Sequence, residues 1–144
     1  MGYKVKKYDN SSISALKGAD RVRKRPAVIF GSDGVEGCEH SMFEILSNSI
    51  DEAREGFGST ITVTRYADMS IEVEDFGRGI PVDYHEKEKR YNWELVFCEL
   101  YAGGKYNNND GGDYEYSLGL NGLGACATQY SSEYMDVEIL RDGF

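Results

Sequence analysis

Three segments in a fixed order restrict this chain more than any other feature: 44–53 (EILSNSIDEA), 73–81 (VEDFGRGIP) and 117–125 (SLGLNGLGA). The first has the spacing of a helix with acids on one face. The second reads as a strand ending in Asp-x-Gly, and the third as a glycine-rich turn entering a helix. Each pattern alone is common, and the combination is much rarer.

The surrounding pattern sets the fold class. Residues 1–12 are polar without clear periodicity and read as an arm. Ile13, Leu16, Ala19 and Val22 fall at helical spacing over 13–25, where Pro26 stops the helix. Val28, Ile29 and Phe30 run into the turn cluster Gly31-Ser32-Asp33-Gly34, and a long helix is expected from near Gly37 to about Phe57. Ile61 and Val63, then Met69, Ile71 and Val73, alternate around a turn at Ala67-Asp68, which predicts an antiparallel hairpin. Helical spacing returns over 93–100, a polar Gly/Asn-rich loop spans 103–113, and 122–131 is expected to be helical with a final strand at 137–140. Helices before and after a hairpin, without β-α-β alternation, predict an α+β sandwich with helices on one face of the sheet. The arm 1–12 would precede one domain over 13–144.

Composition agrees with a globular unit: 144 residues with 40% hydrophobic content suffice for one core. A net charge of −9 opposes a surface built to neutralise nucleic-acid phosphates. Lys4, Lys6 and Lys7, and again Arg21, Arg23, Lys24 and Arg25, form local basic clusters that fit either a solvated face or an anion contact. Cys38, Cys98 and Cys126 include no C-x-x-C pair, so neither a disulfide framework nor a zinc site is expected. Cys98 and Cys126 sit in apolar helical patterns and read as small buried hydrophobes, which fits a reducing cytoplasm. No stretch approaches the roughly 20 apolar residues of a membrane span, and no signal peptide is evident.

On the long helix, at about 100° per residue, Phe43, Leu46, Ile50, Ala53 and Phe57 fall within about 80° and form the expected core face. Glu44, Asn48, Asp51 and Glu55 form a second stripe about 150° away. That stripe fits an ordinary solvated face, or a site if something lies opposite it. The Asn48 amide oxygen is a hard neutral ligand suited to Mg²⁺, and Glu44, one turn earlier, could polarise a water. Asp75 shares the parity of Met69, Ile71 and Val73, so its carboxylate is expected to point inward. It could accept from the exocyclic amine of adenine, with Gly77 and Gly79 admitting a flat ring, or it could cap the turn that follows. The tripeptide Asp75-Phe76-Gly77 also matches a protein-kinase signature, but no kinase catalytic loop accompanies it. Gly119, Gly122 and Gly124 could present backbone N–H groups to phosphates, with Lys105 adding charge, or could form a structural turn. Base reader, metal ligand and phosphate cradle together read as an ATP pocket.

These residues resemble the ATPase domain of type IIA DNA topoisomerases, the gyrase B and topoisomerase IV B family, within the GHKL (Bergerat-fold) ATPases. Tyr8-Asp9-Asn10-Ser11-Ser12-Ile13, Leu16-Lys17-Gly18, Val22-Arg23-Lys24-Arg25-Pro26 and Ala102-Gly103-Gly104-Lys105-Tyr106 are similar to further signatures of that family. The resemblance implies a two-layer α/β sandwich with Glu44 as general base, Asn48 as Mg²⁺ ligand, Asp75 as adenine reader, and Asp51 and Glu52 as supporting acids. It implies that Arg78, Gly79, Ile80 and Pro81 border the adenine pocket. Gly104, Lys105, Gly119, Leu120, Asn121, Gly122, Leu123, Gly124 and Ala125 would then close over the phosphates. Tyr8 and Ile13 would reach the partner's nucleotide when ATP closes a homodimer. Two departures stand out. Asn121 occupies the place of a usual histidine, and the family's remaining strands, transducer and DNA-cleaving parts lie beyond a truncated domain. The A-type subunit and DNA would be engaged through those other regions. Alternatives are a chaperone or signalling ATPase of the same superfamily, or a nucleotide-binding fragment without turnover.

Overall fold

The computed structural model describes residues 18–100 and 124–144. In chain order they form α1 (Ala19–Arg23), α2 (Pro26–Phe30), α3 (Val35–Arg54), β1 (Ile61–Arg65), β2 (Ile71–Asp75), β3 (Tyr84–His85), β4 (Arg90–Tyr91), α4 (Asn92–Cys98) and α5 (Gly124–Ser131).

Pro26 does not merely stop a helix; it starts the next one. Proline lacks the N–H that a first helical residue leaves unpaired anyway, so it suits the N-terminal turn of α2. Gly31, at φ 74°, ends α2 and returns its N–H to the carbonyl of Ala27 at 2.9 Å. The expected helix over 13–25 is described only from Ala19; Ile13 and Leu16 lie outside the described residues.

The 20-residue α3 ends at Arg54, three residues before the expected limit, and Gly56 at φ 92° turns the chain away. Its buried face also differs from the expected one. Leu46, Ile50 and Ala53 are half-buried, but Phe43 and Phe57 are 47% and 41% exposed, while Ser47 and Ser49 are buried. The serines are tolerated there because both hydroxyls are satisfied: Ser47 donates to the carbonyl of Glu44 at 3.0 Å, and Ser49 donates to Asp75.

The β1–β2 hairpin is antiparallel, as expected, with Val63 opposite Val73 and Ile61 opposite Asp75. Met69 belongs to the turn and not to the strand: it has φ 75°, and its N–H bonds the carbonyl of Tyr66 at 3.0 Å. Asp68 braces that turn by accepting from the N–H and hydroxyl of Ser70 at 2.9 and 2.7 Å. A second, two-residue pairing, β3 with β4, was not foreseen; Tyr84 and Tyr91 meet edge to face across it at 5.3 Å. The Tyr91 N–H then bonds the Glu94 carboxylate at 2.9 Å, which satisfies one of the free donors at the start of α4.

The core lies where α1, α2 and α5 meet. Val22, Phe30 and Ala127 are buried together, and Ile29, Leu100 and Tyr130 pack around them. Complete burial of a side chain such as Val22 contributes about 1.5 kcal/mol or more. Cys126 is buried as expected, but Cys98 is exposed. Among the described residues no strand forms at 137–140. That segment instead lies beside Gly79, whose carbonyl accepts from Arg141 Nη1 at 2.7 Å. Beyond it, Arg141 and Phe144 exchange backbone hydrogen bonds of 2.9 and 3.0 Å around Asp142 and Gly143, both at positive φ, the geometry of a two-residue hairpin turn. No helix of the described residues is long and apolar enough to cross a membrane.

Candidate active site

The site is built on α3, whose Glu44 meets the beginning of α5 and whose Ser49 and Glu52 reach the end of β2 and the residues after it, with Asn48 and Asp51 one and two turns beyond Glu44. Glu44 is held on two sides. Its Oε1 lies 3.0 Å from Nε2 of His40, one turn earlier on the same helix, and its side chain is only 25% exposed. The His40 ring is held in turn by an edge-to-face contact with Phe30, 6.0 Å between centroids at 69°. On its other side Glu44 abuts Gly124, the first residue of α5. Sequence reasoning missed His40, although its i, i+4 spacing from Glu44 is the signal that could have found it.

Asn48 is exposed, one turn beyond Glu44. Asp51 is more enclosed, at 13% side-chain exposure, with Oδ1 at 4.0 Å from Arg54 Nη1. Among the described residues no three His, Cys, Asp or Glu side chains converge as a metal site.

Asp75 performs the capping role weighed for it. Its Oδ1 accepts the Gly77 N–H at 2.9 Å, while its Oδ2 accepts the hydroxyl of Ser49 at 2.5 Å. The residue is exposed, so the inward burial expected from strand parity is not what fixes its carboxylate; the tie to α3 is. Gly77 permits that tie, since a Cβ there would stand 3.1 Å from Cβ and Cγ of Glu52 and from Oδ1 of Asp75.

Glu52 is committed to Arg78. It accepts from the Arg78 backbone N–H at 3.0 Å, from Nε at 3.1 Å and from Nη2 at 2.7 Å. Nη2 also reaches Glu55 at 2.7 Å, and the guanidinium lies 3.9 Å from the Phe57 ring centroid. The Glu52 hydrogen bond, above all, pushes the Arg78 pKa further up. Ile80 is half-buried and Pro81 exposed next to this clamp, and Ala125 follows Gly124 in the first turn of α5. Tyr8, Ile13, Gly104, Lys105, Gly119, Leu120, Asn121, Gly122 and Leu123 lie outside the described residues.

The arrangement thus places an oriented carboxylate and a neighbouring amide one turn apart on α3, and ties a carboxylate at the end of β2 to the same helix through Ser49. Residues 35–141 match the family described as histidine kinase-, DNA gyrase B- and HSP90-like ATPases. The chain belongs to this ATPase family. Within it the chain is 45% identical over 139 residues to the DNA gyrase B protein of Thermotoga maritima, covering 96% of this chain and 21% of that one. It is 46% identical over 139 residues to the DNA gyrase B protein of Mycoplasma pneumoniae, with the same coverage of 96% and 21%. The mitochondrial DNA gyrase B protein of Arabidopsis thaliana is 44% identical over 138 residues, 96% of this chain and 19% of that one. The 43K ATPase domain of Thermus thermophilus gyrase B, solved with an aminocoumarin, superposes with a TM-score of 0.52 at 44% identity, covering 55% of this chain and 22% of that chain. The chain therefore spans about one fifth of the length of these curated relatives. Family and structural neighbour together give the GHKL ATPase fold and support ATP binding in a gyrase-B-like protein.

Proposed function

We propose that this chain binds ATP with Mg²⁺ and hydrolyses it, with Glu44 as general base, and that it serves as the ATP gate of a type IIA DNA topoisomerase. The observation that carries this reading is the placement of Glu44: oriented by His40, largely shielded from water and facing the first turn of α5. A general base must be held where it can take a proton from the attacking water, and geometry is the first requirement. With Oε1 engaged by His40 Nε2, Glu44 is restricted to a narrow set of rotamers. That removes conformational entropy which would otherwise be lost on reaching the transition state.

Asn48 suits Mg²⁺, because its amide oxygen is a neutral hard donor one turn from Glu44, on the face that also carries Asp51. The ion, when bound, would neutralise charge on the phosphates. Asp75, fixed by Ser49 and the Gly77 N–H, would accept the adenine amine through the remaining lone pairs of its carboxylate. Arg78, clamped by Glu52, would form one wall of that pocket beside Gly79, Ile80 and Pro81. Lys105, Gly104, Gly119 to Ala125 and Asn121 would close over the phosphates. Asn121 can donate a hydrogen bond but cannot become a cation as histidine can.

In the whole protein ATP would favour a closed homodimer, with Tyr8 and Ile13 reaching the partner's nucleotide, and hydrolysis would release the gate. DNA and an A-type subunit would be engaged by other regions, in the cytoplasm. The likeness to gyrase B relatives favours this over a chaperone or signalling ATPase on the same fold. In the full-length protein, Glu44→Gln should abolish hydrolysis while preserving binding of a non-hydrolysable ATP analogue. Retained turnover would remove Glu44 from the role.

A further inference from the structure

Gly124 opens α5 directly against Glu44. A Cβ at this position would overlap Oε2 of Glu44 and would stand 2.9 Å from its Cβ and 3.0 Å from its Cδ. Position 124 lies in the first turn of an α-helix, a conformation that any residue adopts, so the requirement for glycine is one of space. The two helices cannot simply separate to make room. Four residues along, Thr128 Oγ1 donates to the carbonyl of Ser41 at 3.1 Å, and Cys126, Ala127 and Thr128 are buried. The Glu44 carboxylate is thus confined between His40 on its Oε1 side and the bare backbone of Gly124 on its Oε2 side.

We propose that Gly124 is a positioning residue: its missing side chain makes the seat in which the Glu44 carboxylate rests, so that packing of α5 on α3 aims the general base. This goes beyond a phosphate-contacting role for the glycine-rich segment and rests on Glu44 being the base. An alanine at 124 keeps the backbone N–H that a phosphate would use but expels the carboxylate from its seat. Misplacement of a reacting group by about 1 Å can cost about a hundredfold in rate.

The test is a double-mutant cycle in the full-length protein, reading steady-state ATP hydrolysis, affinity for a non-hydrolysable ATP analogue and the thermal midpoint. Gly124→Ala is expected to lower kcat by about ten- to a hundredfold, with KM and analogue affinity nearly unchanged. It should also lower the thermal midpoint, and in the Glu44→Ala background, which removes the Oε2 and Cδ contacts but keeps the Cβ at 2.9 Å, part of that loss should disappear. If Gly124→Ala alone is too unstable to assay, recovery of folding in Gly124→Ala/Glu44→Ala supports the same contact. Equal midpoint losses in both backgrounds, or full turnover in Gly124→Ala, overturn the proposal. Full turnover in Glu44→Ala alone refutes Glu44 as the base, a separate result from the midpoint cycle, which reports the packing whatever Glu44 does.

Discussion

Ser49 donates its hydroxyl to Oδ2 of Asp75 at 2.5 Å, and this bond fastens the end of β2 to the middle of α3. The residues are 26 positions apart, and Ser49 is buried while Asp75 is exposed. A buried hydroxyl therefore orients an accessible carboxylate, leaving that carboxylate able to meet a ligand.

Removal of either partner should be felt at the nucleotide. Ser49→Ala is expected to cost about 1 kcal/mol of stability and to weaken, without abolishing, the stabilisation by a non-hydrolysable ATP analogue with Mg²⁺. Asp75→Ala should abolish that stabilisation. Thermal unfolding with and without the analogue measures both, since a ligand of the folded state must raise its stability.

His40→Ala should reduce kcat by about tenfold by freeing the Glu44 side chain, with analogue affinity little changed. His40→Gln, which keeps a donor near the same place, should recover part of the loss. Steady-state hydrolysis by the three proteins decides it; equal rates would leave the His40–Glu44 bond without a catalytic purpose.

Arg78→Lys should fail to replace arginine, because one ammonium cannot reproduce the Nε and Nη2 bonds to Glu52 together with the stacking on Phe57. Arg78 is 47% exposed, so the stability loss should be small and should shrink further in high salt. A larger loss for Arg78→Ala than for Glu55→Ala would follow from Glu52, the partner with three bonds. Thermal midpoints at low and high ionic strength report the difference.

Cys126 should resist thiol reagents at neutral pH, while exposed Cys38 reacts and exposed Cys98, whose thiol is also pushed up by burial, reacts more slowly than Cys38. Burial pushes the Cys126 thiol up to about 11, from an ordinary value of 9.0. The linkage has a definite sign. Below pH 9 both folded and unfolded thiols are protonated and the contribution is complete; above it the unfolded thiolate forms first, and stability falls until about pH 11. Alkylation rates followed by peptide mapping, and alkaline unfolding of Cys126→Ala against the parent, check the two statements.

Much of the local structure was legible in the sequence. The 3.6-residue period marked α3 and α4, alternation marked β1 and β2, and Ala67-Asp68 marked the turn between them. The misses have local causes too. Met69 has the parity of a strand residue but sits at positive φ in the turn, and Pro26 can begin a helix as readily as it ends one. The stretch 137–140 alternates like a strand, yet a strand exists only when a neighbour completes its ladder.

The sequence by itself determined α3, the β1–β2 hairpin, α4 and α5, their order and the stripe of Glu44, Asn48 and Asp51, because helical and strand periods are fixed by backbone geometry within a few residues. Tertiary structure alone decided how those side chains are used. It buried Ser47 and Ser49 in place of Phe43 and Phe57, committed Glu52 to Arg78, tied Asp75 to Ser49 and pressed Gly124 against Glu44. Those last three contacts join residues 26 or more positions apart. At such separations periodicity carries no information, and only the packing of one element on another selects the partner.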